Sequence, residues 1–154
     1  MSKYSEGLIY KLCCNDPNIH DIYVGSTTNF AMRFYSHKSM CNNEISNSFN
    51  HYKYKFIRDN GGFGEWTMQL IEKFPCKNVT ELHTRERFWY DQLNCTLNKA
   101  VPAQTAQEYY EVNRHIINEK KREPFLCECG SWYTLTHKAR HLKTKKHLNF
   151  INTL

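Results

Sequence analysis

The chain has 154 residues, 40% of them hydrophobic and 23% charged, which suits one ordinary domain plus a mini-module and excludes wholesale disorder. No apolar run approaches the roughly 20 residues of a membrane helix, and residues 1–10 lack an apolar signal core, so secretion and membrane spanning are not expected. The net charge is +6, and from Lys120 to His147 eight basic residues face two acidic ones, so a basic tail follows a neutral body. That distribution points to a polyanion partner held by the tail.

Residues 7–13 and 20–26 read as two strands joined through the turn cluster Asn15-Asp16-Pro17-Asn18. Thr27 or Thr28 is expected to cap a helix over 29–39. A second helix is expected over 46–60, with Phe49, Tyr52, Lys53, Phe56 and Ile57 as its amphipathic stripe and Gly61-Gly62 as its stop. Residues 65–74 alternate Trp66, Met68 and Leu70 inward, predicting a third strand. Thr80 opens a further helix carrying Leu82, Arg85, Glu86, Trp89 and Leu93 along one side. A connector helix over 103–121, with Tyr109, Val112 and Ile116 on a narrow face, is expected to pack partly on the body, and Pro124 ends it.

The cysteines number seven, and an odd count without a signal sequence argues against a disulfide framework. Cys13, Cys14, Cys41, Cys76 and Cys95 read as free thiols. Cys127 and Cys129 differ, because histidines follow them. Two thiolates on a turn and two imidazoles on a helix close a tetrahedral zinc site, and so short a module needs such a staple. His137-x₃-His141 and His141-x₅-His147 are both legal pairs. Lys138, Arg140, Lys143, Lys145 and Lys146 give the segment a phosphate-contact surface even without metal.

In the body, single signals are weak. Tyr10 and Tyr23 on neighbouring strands suit cross-strand packing, and Gly25 permits a close approach. Arg33 and His37 stand four apart and share a helix face. Glu86 sits between two arginines on a side that turns inward, where it pairs with Arg33 or Arg85 or holds a cation. Asn98 reads as a turn residue.

Their order carries more. Tyr10, Tyr23-x-Gly25, Arg33-x-x-x-His37, Arg85-Glu86-x-Phe88-Trp89 and Leu97-Asn98 together resemble the GIY-YIG endonuclease family over residues 7–98, in its homing-endonuclease and large-DNA-virus branches. Leu8-Ile9-Tyr10 carries Leu where the family name has Gly, and Val24 replaces Ile. The resemblance implies a small three-stranded antiparallel sheet flanked by helices, an α/β (α+β) fold, in a nuclease domain over 5–100. A connector helix over 101–123 and a ββα-like zinc finger over 124–150 complete the expected chain. It implies Tyr10, Tyr23, Arg33, His37, Glu86 and Asn98 as catalytic residues. Glu86 holds Mg²⁺ or Mn²⁺, Arg33 binds the phosphate, and Tyr10 or His37 is the general base, with positive charge needed to lower the Tyr10 pKa. The ending HLKTKKH resembles matrin-type Cys₂His₂ fingers, which selects Cys127, Cys129, His141 and His147 for Zn²⁺, although Cys-x-Cys replaces the usual Cys-x₂-Cys. The expected function is a metal-dependent DNA endonuclease inside the cell, in cytoplasm or nucleus, or in a host cell if of viral origin. DNA is the expected partner, or structured RNA for the finger, with the oligomeric state open. The alternatives are a non-catalytic nucleic-acid-binding adaptor, which Leu8 favours, and a nuclease of branched DNA.

Overall fold

The computed structural model describes residues 2–153. They form two compact units, one through Gln104 and one from Thr105 onward.

The first unit is built on a three-stranded antiparallel sheet in the order β2–β1–β3, with β1 at Leu8–Cys14, β2 at Ile22–Thr27 and β3 at Trp66–Lys73. Strand side chains alternate between faces, and β1 uses the alternation to serve two cores. Tyr10 and Leu12 face one cluster, with Cys41 of α1 (Phe30–Asn42) and Tyr54 and Ile57 of α2 (Tyr52–Asp59). Ile9 joins Val24 on the other, against Leu82 and Trp89 of α3 (Val79–Gln92). This is the expected mixed α/β sheet flanked by helices.

Local chemistry moves several expected boundaries. The cap of α1 is Asn29, whose side chain accepts from Met32 N, while Thr27 accepts from the Asn29 amide one step earlier. Asn78 rather than Thr80 marks the start of α3, accepting from Glu81 N. Helix α2 does not reach back to Ser46, because a chain of turns occupies 43–51, with successive bonds from Ser46 N to Asn43 O, Phe49 N to Ser46 O and His51 N to Ser48 O. Its buried residues are Tyr54 and Ile57, and Tyr52 is exposed. Leu70 is also exposed, against expectation. The β1–β3 register shifts between Ile9 and Tyr10, so Ile9 faces Glu72 and Tyr10 faces Leu70, and Ile71 packs on the second core instead.

In the second unit α4 (Ala106–Arg122) starts at a full capping box between Thr105 and Glu108, three residues later than expected. It packs against the turn Leu135–His137 and so belongs with the second unit. A hairpin of β4 (Pro124–Leu126) and β5 (Trp132–Thr134) follows, then α5 (Lys138–His141) and α6 (Lys145–Ile151). The expected single helix through both histidines is broken, because Thr144 caps α6 by accepting from His147 N. Among the described residues no helix is long and apolar enough to cross a membrane.

Candidate active site and metal centre

The six residues singled out in the body converge on β2, one of the two edge strands of the sheet. An edge strand exposes unpaired backbone groups. Here Asn98 covers them: Val24 N donates to its Oδ1 at 2.9 Å and its Nδ2 donates to Val24 O at 2.8 Å. Asn98 is thus a clamp that fixes β2 beside Gly25. A Cβ on Gly25 would stand 2.5 Å from Tyr10 Oη and 2.9 Å from Tyr23 Cε1, and both rings are hemmed in. Gly25→Ala is therefore expected to cost about 1–3 kcal/mol, read as a shift in urea midpoint. A midpoint equal to wild type would show that the rings have room to move.

Behind the edge runs a chain of polar contacts. Tyr10 Oη meets His37 Nε2 at 2.8 Å, and His37 Nδ1 meets Tyr54 Oη at 2.8 Å. Tyr54 in turn donates to Met40 Sδ at 3.2 Å. With that proton turned to sulfur, His37 donates from Nδ1 and accepts at Nε2, so Tyr10 donates to His37. Tyr10 and His37 are 1% and 2% exposed, whereas Tyr23 lines a cleft at the surface. Burial, with Tyr23 alongside, pushes the Tyr10 phenol well up, contrary to the lowering expected of a general base. Burial also brings His37 down to about 3, with Lys53 and Arg33 adding their charge. Both groups are neutral near pH 7.

The His37 shift gives a sign for acid stability. Unfolded, the imidazole protonates near ~6.5; folded, it does so at about 3. Above the unfolded value neither state binds the proton and stability is complete. As pH falls between the two values only the unfolded chain binds it, and stability is lost by up to about 1.4 kcal/mol per pH unit. From pH 7 to 5 the wild type is expected to lose about 2 kcal/mol more than His37→Gln, by urea unfolding. Equal losses would place the titration elsewhere.

Glu86 reaches the same edge from α3. Its Oε2 accepts from Ser26 Oγ at 2.5 Å, and among the described residues no donor engages its other oxygen. The expected pairing with Arg33 or Arg85 does not form. Arg85 instead binds Glu72 through Nε at 2.7 Å and Nη2 at 3.1 Å, joined there by Trp89 Nε1 at 2.7 Å. Arg33, exposed on α1, touches the Ser26 carbonyl through Nη2 at 3.5 Å. Burial raises the Glu86 pKa, opposed by the Ser26 bond and by His83, Arg33 and Lys53. Tyr23, Lys53, His83, Glu86 and Asn98 line one cleft of about 320 Å³. A half-buried carboxylate with an open oxygen in a polar cleft suits a hard divalent cation, which keeps several waters and takes few carboxylates. Sequence reasoning missed Ser26, Lys53, Tyr54 and His83 here. Only Ser26, next to Gly25, carried a positional signal.

In the second unit, Cys127, Cys129, His141 and His147 bring their ligand atoms within 4.8 Å of one another. Cys127 Sγ lies 3.4 Å from His147 Nδ1, and Cys129 Sγ lies 3.6 Å from His141 Nε2. Bonds of about 2.0–2.3 Å to a tetrahedral zinc require edges of roughly 3.3–3.8 Å, so these two edges match, while the widest separation in the set, up to 4.8 Å, has to close when a metal binds. The short Cys-x-Cys spacing works because Gly130, at φ 73°, closes a tight turn in which its N–H donates to Cys127 O at 2.8 Å. The helix break explains the x₅ spacing: six residues of unbroken helix would place the imidazoles about 240° apart. His137 stands outside the cluster, bonded to Thr134 Oγ1 at 3.1 Å. Tyr133 stacks on His141 at 4.8 Å between centroids and Phe125 on Tyr133 at 5.9 Å, a small aromatic ladder under the site. Lys138, Arg140, Lys143, Lys145 and Lys146 are all exposed, and Lys146 also donates to Gly130 O at 3.3 Å.

A family model described as the GIY-YIG catalytic domain matches residues 6–99. No curated protein and no solved structure matches the chain. The match spans the whole sheet, all three helices packed on it and every body residue gathered at the β2 edge, and the chain belongs to the GIY-YIG family.

Proposed function

We infer that the substrate is a nucleic acid, since GIY-YIG domains are generally nucleases. We propose that this chain is a divalent-metal-dependent DNA endonuclease of the homing-endonuclease and large-DNA-virus type, working inside the cell. Residues 5–100 form the catalytic domain, residues 124–150 a wide-spaced Cys₂His₂ zinc finger, and residues 101–123 the link. The observation that carries the reading is the single carboxylate of Glu86 facing the cleft that Tyr23, Lys53 and Asn98 share.

Glu86 would hold Mg²⁺ or Mn²⁺ through its open oxygen. A divalent cation bound there supplies Lewis-acid polarisation of the phosphate and stabilisation of the departing oxyanion. Arg33 binds the phosphate oxygens as charge builds on them. Tyr23, at the cleft, orients the attacking water. Tyr10, packed beside Tyr23 and bonded through its hydroxyl to the neutral His37, stands next on the path of the water's proton. His37 is pre-set for this by Tyr54, which takes the bond from Nδ1 and leaves Nε2 as the acceptor. Asn98 holds the β2 backbone so that Tyr23 keeps its place. Zn²⁺ at Cys127, Cys129, His141 and His147 would supply the finger's fold, and its exposed lysines and arginine would bind DNA phosphates.

The test is incubation of the full chain with supercoiled plasmid and Mg²⁺, with and without chelator. Nicked or linear product only without chelator is expected. Intact plasmid in both lanes would overturn the reading in favour of a non-catalytic adaptor.

A further inference from the structure

Lys53 is a residue that no motif singled out, and its placement is unusual. A lysine on a short surface helix ordinarily extends its ammonium into water. Lys53 is half-buried instead, and its Nζ stands 3.7 Å from the centroid of the Tyr23 ring and 4.9 Å from that of Tyr54. Two aromatic faces steer the charge inward, an interaction that works best for a partly desolvated cation. Yet among the described residues no carboxylate lies within ion-pair distance of it. The nearest candidate, Glu86, lines the same cleft but takes its hydrogen bond from Ser26. Arg33 also acts on this cleft, so two cations converge where the protein supplies one carboxylate. A cation placed for stability would pair with that acid; a cation held apart from it leaves net positive charge for an incoming anion.

We propose that Lys53 is a second phosphate-binding cation of the cleft: its ammonium contacts a non-bridging oxygen of the scissile phosphodiester from the α2 side, while Arg33 contacts the phosphate from α1. This rests on reading the cleft as the nuclease site. A point charge on a flexible stem complements the planar Arg33 fork, because it follows the oxygen as the phosphorus changes geometry. The aromatic rings give it a fixed starting place, so little reorganisation is needed when charge develops. Burial and Arg33 bring the Lys53 pKa down to about 8, with Glu86 opposing, and an arriving phosphate would restore the charge.

The experiment uses the full chain as wild type, Lys53→Met and Lys53→Arg, with thermal melting to verify the fold of each. Single-turnover cleavage of a duplex in Mg²⁺ is measured beside duplex affinity. Lys53→Met is expected to cleave about 100-fold more slowly, the scale of losing one preorganised oxyanion donor. Lys53→Arg, which keeps the cation, is expected to recover at least about a tenth of the wild-type rate. Duplex affinity should change less than about twofold, since the exposed basic residues of the finger remain. In a separate arm, acetylation of Lys53 in the wild type, followed by mass spectrometry, should slow when duplex is added. Wild-type cleavage by Lys53→Met, Lys53→Arg as slow as Lys53→Met, or an unprotected Lys53 would each overturn the assignment while the nuclease reading stands. A wild type that cleaves nothing would remove the nuclease reading, and the Lys53 assignment with it.

Discussion

Glu86→Gln is expected to abolish cleavage, lowering the single-turnover rate at least about 1000-fold, which corresponds to roughly 4 kcal/mol of lost transition-state stabilisation. Gln keeps the shape of the side chain and can still accept from Ser26 Oγ. What it lacks is the negative charge that a divalent cation needs. The substitution is also kind to the fold. Burial already raises the Glu86 pKa, so the carboxylate is held at some cost, and an uncharged amide removes that cost. The melting temperature should therefore equal or exceed that of wild type, and duplex affinity should stay within about twofold because the finger is untouched. Arg33→Ala should lose rate as well, since only the transition state concentrates charge on the oxygens that its guanidinium would bind. The measurement is cleavage, melting and duplex binding on the same preparations. A Glu86→Gln protein that still cleaves would end the metal assignment; one that melts early would show that the carboxylate is structural.

The candidate constellation is legible in the sequence through the order of its short motifs, which carries the family resemblance, and part of it also through fixed spacings on regular elements. Arg33 and His37, four apart, share a helix face under any tertiary arrangement, and Tyr10 opposite Gly25 follows once two short strands are paired. Residues that reach the same place by tertiary packing leave no such trace. Lys53 and Tyr54 are neighbours on α2, about 100° apart around the helix, and both enter the site because α2 lies across the sheet's tyrosine face. An amphipathic stripe drawn over 46–60 favours Tyr52 over Tyr54, since Phe49, which lies outside α2, then joins Tyr52 and Phe56 at i, i+3 and i+7. Strict alternation does place Leu70 on the face of Tyr10 and Met68, but the side chain there is left largely uncovered, and the extra residue Ile71 reverses the pattern only beyond it. The electrostatics are the least legible. Positive charge near Tyr10 is expected to lower its pKa, and Arg33 does act in that direction, but burial outweighs it. In the C-terminal module, residue type and spacing leave two histidine pairs open and the resemblance of HLKTKKH selects one, whereas the break at Thr144 depends on one side chain choosing to cap.

Removing the second unit by ending the chain at Gln104 is expected to weaken duplex binding at least tenfold near physiological salt and to flatten its salt dependence. The cut is placed there because α4 packs against Leu135–His137, so a cut at Pro124 would strand an amphipathic helix. Lys138, Arg140, Lys143, Lys145 and Lys146 leave with the unit. For every DNA phosphate that is no longer neutralised, the slope of log affinity against log salt falls by about one. Slow cleavage should persist at high protein concentration, because Tyr10, Tyr23, Arg33, His37, Glu86 and Asn98 all remain. Cys129→Ser separates charge from fold. The finger's hairpin keeps Trp132 66% and Leu126 60% exposed, so beyond the aromatic ladder on His141 there is little apolar burial to hold it. A zinc bound there would hold the fold, since metal binding in modules of this size supplies about 10–16 kcal/mol. Losing one thiolate should release the zinc and unfold the finger, yet leave every basic residue on a tethered tail that attracts phosphate without register. Affinity should then fall between the wild type and the truncated chain, with a salt slope near that of wild type. Binding isotherms at four salt concentrations, with zinc quantified in each protein, decide the matter. Stoichiometric zinc and wild-type affinity in Cys129→Ser would show that the ligand set is wrong. Equal affinity in the chain ended at Gln104 would place the DNA anchor in the catalytic domain itself, and the basic tail would then serve something other than holding this substrate.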